Sequence, residues 1–169
     1  MLEKFYEIVY SELNKLDLDG QYYADWTADE LFIIFFTNDN NDNDLLMKNA
    51  MEFAYIYATD VFKRINKAID SKLLYDIGMS AGIGLLGLQG PEKLKKTTIT
   101  GETAGTAKRL ETEAKNIRNT KDSEFPILII DSILYDIAKS MNIFKDSFSE
   151  IIARTKDIKD NKFHIWLNR

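Results

Sequence analysis

Residues Tyr75–Lys115 read YDIGMSAGIGLLGLQGPEKLKKTTITGETAGTAKRLETEAK, and this stretch decides the fold. Tyr75–Leu88 mixes apolar residues with glycines, which predicts a strand that another backbone or a ligand approaches closely. Gly90-Pro91 breaks that strand. Thr97–Thr100 is rich in β-branched residues and predicts a short strand. Gly101-Glu102-Thr103 then leads into a helix over roughly Ala104–Ile117. The run GIGLLG (Gly82–Gly87) is the nearest approach to a dinucleotide fingerprint, but no helix follows it, so its glycines have a structural meaning only.

Upstream, Phe5, Ile8, Val9 and Leu13 recur at helical spacing within Leu2–Lys15. Gln21–Asp25 and Glu30–Phe36 predict two strands joined as a hairpin through Trp26, Thr27, Ala28 and Asp29. The second contains LFIIFF, a composition suited to a strand covered on both faces. Thr37–Asp44 (TNDNNDND) is a polar turn. It lacks the glycine and distal glutamate of an EF-hand loop, so it reads as a solvated connection. Met47–Ile69 predicts the longest helix, with Ala50, Phe53, Ala54, Tyr57, Val61, Ile65 and Ala68 on one stripe. Downstream, Ile127–Ile130 predicts a buried strand and Asp131 caps a helix through about Ser140. Lys162–Leu167 (KFHIWL) predicts a last strand. This order predicts an α+β domain with a mixed sheet and helices packed on it. No linker or repeat divides residues 1–169, so one domain is expected.

Composition narrows the chemistry. The 169 residues include no cysteine, which excludes disulfides, thiolate metal sites and cysteine nucleophiles. The single His164 cannot build an imidazole cluster, so any metal would take oxygen ligands, favouring Mg²⁺, Mn²⁺ or Ca²⁺. Net charge is −5, from 22 basic and 27 acidic residues, which argues against a nucleic-acid-coating surface. No apolar run reaches the ~20 residues that span a bilayer. The amphipathic, acid-containing N-terminus is unlike a targeting peptide. A soluble, cytoplasmic protein with neither nucleic acid nor membrane as partner is expected. A P-loop motif is absent from the sequence.

Several pieces, taken in order, resemble the catalytic domain of class III nucleotide cyclases, a ferredoxin-like mixed sheet. YDIGMSAGIGLLGLQG resembles that family's glycine-marked hairpin strand, and KKTTITGETAGTAKRLETEAK its strand, glycine turn and following helix. FPILIID resembles its later buried strand, and TADELFIIF the strand carrying a Gly-Asp metal motif. The resemblance covers most of residues 2–169. It implies conversion of a nucleoside triphosphate to a 3′,5′-cyclic nucleotide and pyrophosphate, with Mg²⁺ or Mn²⁺. It also implies a homodimer, or a heterodimer with a cyclase-like subunit, because in the family the catalytic groups come from two subunits.

The resemblance also assigns residues. Asp29 stands at a metal-binding aspartate, although Ala28 replaces the preceding glycine. Arg109 stands at the arginine that stabilises the transition state. Thr98 and Asp25 stand at base-reading positions, and a carboxylate at Asp25 suits a donor-rich edge such as that of guanine. Lys159 or Lys162 stands near a phosphate-contacting lysine. Each has a plainer reading: a solvated hairpin acid, an exposed helical arginine pairing with Glu113, a β-prone threonine, or solvated lysines. Two departures matter. Gly105 replaces the ribose-orienting asparagine. The family's opening strand, which carries the first metal aspartate, has no counterpart, so the native opening strand is expected to be missing. The alternative function is therefore a catalytically degenerate module that binds a nucleotide or a protein partner and regulates it.

Overall fold

The structure, a computed structural model, describes residues 2–16, 18, 21–27, 30–37, 43–69, 72–144, 148–152 and 162–167. The chain divides into two units, Met1–Leu74 with Ile137–Asp146, and Tyr75–Asp136 with Ser147–Arg169.

In the first unit, helix α1 (Leu2–Leu13) buries Val9 and Leu13 completely, as the spacing predicts. Strands β1 (Tyr22–Thr27) and β2 (Glu30–Phe35) pair antiparallel, with Tyr22 opposite Phe35 and Thr27 opposite Glu30. Trp26 ties this hairpin to α1. Its ring lies 5.2 Å from Phe5 and 4.1 Å from Tyr6, and its indole N–H donates to the Tyr10 hydroxyl at 3.2 Å. The polar tip of a large aromatic is thereby satisfied while its body is packed.

The expected helix Met47–Ile69 begins earlier and is interrupted. Helix α2 (Asn43–Ile56) passes through a π turn (Tyr57–Val61) into α3 (Phe62–Ile69). Tyr57, Ala58, Thr59 and Val61 are all buried in that wider turn. Thr59 satisfies its hydroxyl by donating to the Tyr55 carbonyl at 2.8 Å. Glu12 at the end of α1 is buried and accepts hydrogen bonds from Lys15 (2.7 Å) and from Arg64 of α3. Burial pushes its pKa up, but the two cations outweigh burial and hold it below the ordinary carboxylate value.

The second unit is built on a four-stranded sheet. Its order is β3 (Asp76–Met79), β6 (Ile127–Ile130), β8 (Lys162–Leu167) and β7 (Phe148–Ile152). The β3–β6 pair is parallel and the other two are antiparallel. All four residues of β6 are fully buried, as expected for a near-continuous apolar run with neighbours on both sides. Strands β4 (Leu85–Gln89) and β5 (Lys96–Thr100) form a separate antiparallel hairpin. Helix α4 (Glu102–Lys121) packs on β3 and β6, closing a core of Leu110, Ala114, Ile127, Ile129, Phe163 and Ile165. Helix α5 (Ser132–Ser140) follows β6.

Two sequence expectations need correction here. The single strand Tyr75–Leu88 is in fact β3 and β4, separated by Ser80–Gly84. Asp131 holds that turn, accepting from the Ser80 hydroxyl and the Ala81 N–H, both at 2.8 Å. Strand β7 was not anticipated, because Phe148–Ile152 is only five residues long and carries Ser149 and Glu150 in its centre.

Gly78 sets how closely α4 lies on β3. A Cβ added there would overlap the Ala107 carbonyl oxygen and the Glu111 amide nitrogen, and lie 2.9 Å from the Glu111 Cα. These are backbone atoms of a packed helix and cannot swing aside as a side chain would. Gly78→Ala should therefore cost about 3 kcal/mol or more, read as a lowered urea midpoint or as loss of folded protein.

One residue pair fixes the other end of the same contact. Arg118 Nε donates to both carboxylate oxygens of Asp76, at 3.0 and 2.9 Å, and Asp76 is 2% exposed. Burial raises the Asp76 pKa above its ordinary value, although Arg118 opposes that shift. Removing the cation leaves a buried carboxylate without its partner. Arg118→Met should destabilise by about 3–5 kcal/mol at neutral pH. The raised folded-state pKa means Asp76 ionisation works against the fold as pH rises through it. The loss should accordingly shrink as pH falls through that raised value and Asp76 takes up a proton, and urea titrations at neutral and acidic pH measure this.

Candidate functional site

The second unit carries two of the expected site residues, Thr98 on β5 and Arg109 on α4. Gly101 precedes that helix with φ +147°, a backbone conformation that disfavours side chains, so glycine is required. A Cβ added there would lie 3.2 Å from the Ile83 carbonyl oxygen and 3.3 Å from the Gly84 α-carbon. Thr103, in the first turn of α4, reaches back towards the Ile83 carbonyl at 3.5 Å. A Cβ on Gly82 would come within 2.5 Å of the Thr103 hydroxyl. The turn after β3 and the entry of α4 are therefore fitted to each other.

Asp131 anchors this turn from the far side. One carboxylate oxygen takes the two hydrogen bonds from Ser80 and Ala81, and the other accepts the Leu134 N–H at 3.0 Å, capping α5. The sequence shows Asp131 as a helix cap. Its second role joins residues 51 and 50 positions apart, a contact that no local pattern reveals.

Arg109 lies half-buried on α4, one turn beyond Gly105 and on the same face. Gly105 is exposed, and a Cβ there would meet nothing within 4 Å. The absence of a side chain at this position is thus not forced by packing. Thr98 sits on β5 opposite Gly87, where an added Cβ would again meet nothing within 4 Å. Asp25 lies in the first unit, half-buried on β1 opposite Phe32. Thr98 and Arg109 therefore share one unit and Asp25 belongs to the other. Asp29 and Lys159 lie outside the described residues. Lys162 opens β8, exposed, 3.8 Å from Glu150, a surface pair of small energetic weight. His164 is a core residue, its ring stacked 3.5 Å from Tyr135.

Among the described residues, no three His, Asp or Glu side chains cluster so as to hold a metal ion. Among the described residues, no helix is long and apolar enough to cross a membrane.

No protein-family model and no curated protein sequence matches the chain. Solved structures do. The adenylyl cyclase CyaB from P. aeruginosa superposes with a TM-score of 0.62 over 99% of this chain and 84% of its own, at 17% identity. The fold is that of class III nucleotide cyclase catalytic domains. A bacterial light-regulated adenylyl cyclase gives a TM-score of 0.66 at 12% identity, covering 99% of this chain and 43% of that longer one. The guanylyl cyclase Cya2 gives 0.63 at 16% identity, over 96% and 77%. The expected α+β, ferredoxin-like class is thus observed in this cyclase-fold domain.

Because Gly105 is open and lies within a helix, Gly105→Ala should stabilise by about 0.5–1 kcal/mol. A thermal melt checks this, and a loss of stability would show that something occupies the space beside it.

Proposed function

We propose that this cyclase-fold domain binds a nucleoside triphosphate and converts it to a 3′,5′-cyclic nucleotide and pyrophosphate. The observation that carries the reading is α4. It leaves a glycine turn seated on the strand–turn after β3 and bears Arg109 two turns in, within a fold that nearly the whole chain shares with cyclases.

Cyclisation joins the ribose 3′-oxygen to the α-phosphorus and breaks the bond to pyrophosphate. Negative charge shifts onto the leaving oxygens, and the Arg109 guanidinium is the group assigned to stabilise it. Thr98, beside the open Gly87, offers a hydroxyl that donates or accepts at a base edge. Asp25 accepts only, which suits the N–H groups of guanine. Asp29 is assigned as a ligand for Mg²⁺ or Mn²⁺ when the metal is bound. The assembly is a homodimer or a heterodimer with a cyclase-like subunit, and the protein works in the cytoplasm. The β4–β5 hairpin supports association: Ile83, Leu85 and Leu88 are 96%, 75% and 67% exposed there.

A second reading has its own observation. With no side chain at Gly105, nothing at that position orients the ribose, which favours a module that binds nucleotide or a partner without turnover.

Incubation with each of the four nucleoside triphosphates and Mn²⁺ or Mg²⁺ separates the two. Cyclic product that falls at least about a hundredfold in Arg109→Ala supports the enzyme. Nucleotide binding without product supports the module, and Gly105→Asn should then be the change that raises any trace activity. Failure to bind any nucleotide contradicts the enzyme and leaves only a module that binds a protein partner.

A further inference from the structure

Thr98 and Arg109, assigned above to the base and to the leaving phosphates, lie on either side of one junction. Strand β5 ends at Thr100, Gly101 turns the chain with φ +147°, and α4 begins at Glu102. The two sides are held differently. Beyond the junction, the Ala107–Glu111 backbone of α4, which flanks Arg109, is seated against Gly78 of β3. Before it, the β4–β5 hairpin pairs with no other strand among the described residues, and its Leu85 and Leu88 are exposed. A two-stranded ribbon alone is at best marginally stable in water. Its direction is therefore set at its base.

That base is tied to β6 by one carboxylate. Strands β3 and β6 run parallel, and their last paired residues are Met79 and Ile130. Ser80 and Asp131 come next on each strand, and the Ser80 hydroxyl and the Ala81 N–H both donate to Asp131. The same turn then meets the junction. An added Cβ on Gly84 would come within 2.9 Å of the Ile99 side chain, and one on Gly82 within 2.5 Å of the Thr103 hydroxyl. Gly78-Met79-Ser80-Ala81-Gly82 has the GxSxG spacing of a hydrolase nucleophile, which a helix normally follows. Here strand β4 follows and the hydroxyl is donated to a carboxylate, so Ser80 ties the turn rather than attacking a substrate.

We propose that Asp131, acting through Ser80 and Ala81, is a positioning residue for base recognition, because it fixes where Thr98 stands relative to Arg109. The inference rests on the nucleotide reading above. Hydrogen bonds to an ionised carboxylate are stronger than neutral ones, and here two of them hold the base of the hairpin. Releasing them frees the hairpin that carries Thr98, while α4 and Arg109 keep their seat on Gly78. The consequence is selective. Affinity and discrimination among bases fall, whereas the chemical step assigned to Arg109 does not.

Asp131→Ser in the full chain separates this role from helix capping. A serine oxygen still caps the Leu134 N–H but cannot also hold Ser80 and Ala81. By NMR without nucleotide, the order parameters of the Gly87 and Thr98 amides should fall from about 0.85 towards 0.6, with those of Arg109 and Leu134 unchanged. With the four nucleoside triphosphates as probes, KM for the preferred one should rise about tenfold. The preference between the best and the worst should narrow by a similar factor, and kcat should change less than about threefold. If Asp131→Ser does not fold, Ser80→Ala removes one of the two bonds and should show the same pattern at about threefold in KM. Two results overturn the proposal alone: hairpin amides and KM that stay as in the wild type, or a kcat that falls as far as KM rises. A wild-type chain that binds none of the four nucleotides overturns the nucleotide reading, and this proposal with it.

Discussion

The backbone contact between β3 and α4 at Gly78 is the constraint on which the second unit depends. A helix normally stands off a sheet by the length of interdigitating side chains. Here the strand offers no side chain at the crossing, and the Ala107–Glu111 segment of α4 lies directly over it. That close approach brings Leu110 and Ala114 down onto Ile127 and Ile129, and it sets the height at which the helix leaves Gly101. The Asp76–Arg118 pair fixes the same helix near its C-terminal end, where Asp122 terminates it in the left-handed conformation.

From that seat the polar architecture follows. A helix pressed onto β3 must start close to the turn after β3, and Gly82, Ile83, Thr103 and Gly101 are the small or fitted residues at that junction. Asp131 then locks the turn to the N-terminus of α5, its one carboxylate accepting three hydrogen bonds. Such a site is held by rigid elements, so Arg109 and the open position at Gly105 are presented in a defined geometry. Under the proposed function, Gly105 favours a binding module and Arg109 an enzyme.

Much of the fold was legible because its strands are apolar runs bounded by breakers. Ile127–Ile130 after Pro126 and Lys162–Leu167 are found where composition puts them. Helix α4 was legible from the glycine turn before it. Several of the features that were not legible rest on contacts distant in sequence. A glycine within a strand announces a close approach, but not that α4 makes it. Asp131 reads as a cap because the cap is local, whereas its grip on Ser80 and Ala81 is tertiary. The π turn at Tyr57–Val61 preserves helical spacing closely enough that the apolar stripe conceals it. Of the site residues, Thr98 and Arg109 fall in one unit because a short hairpin and helix connect them. Asp25 reached its position through the resemblance rather than through any local chemistry.

The most direct measurement is the nuclear Overhauser contact between the α-protons of Gly78 and the amide proton of Glu111, recorded on the folded chain. A strong cross-peak is predicted, because no side chain separates the strand from the helix there. Its absence, with both resonances assigned, would mean that α4 stands off β3 and would contradict the account of how this fold positions its candidate site.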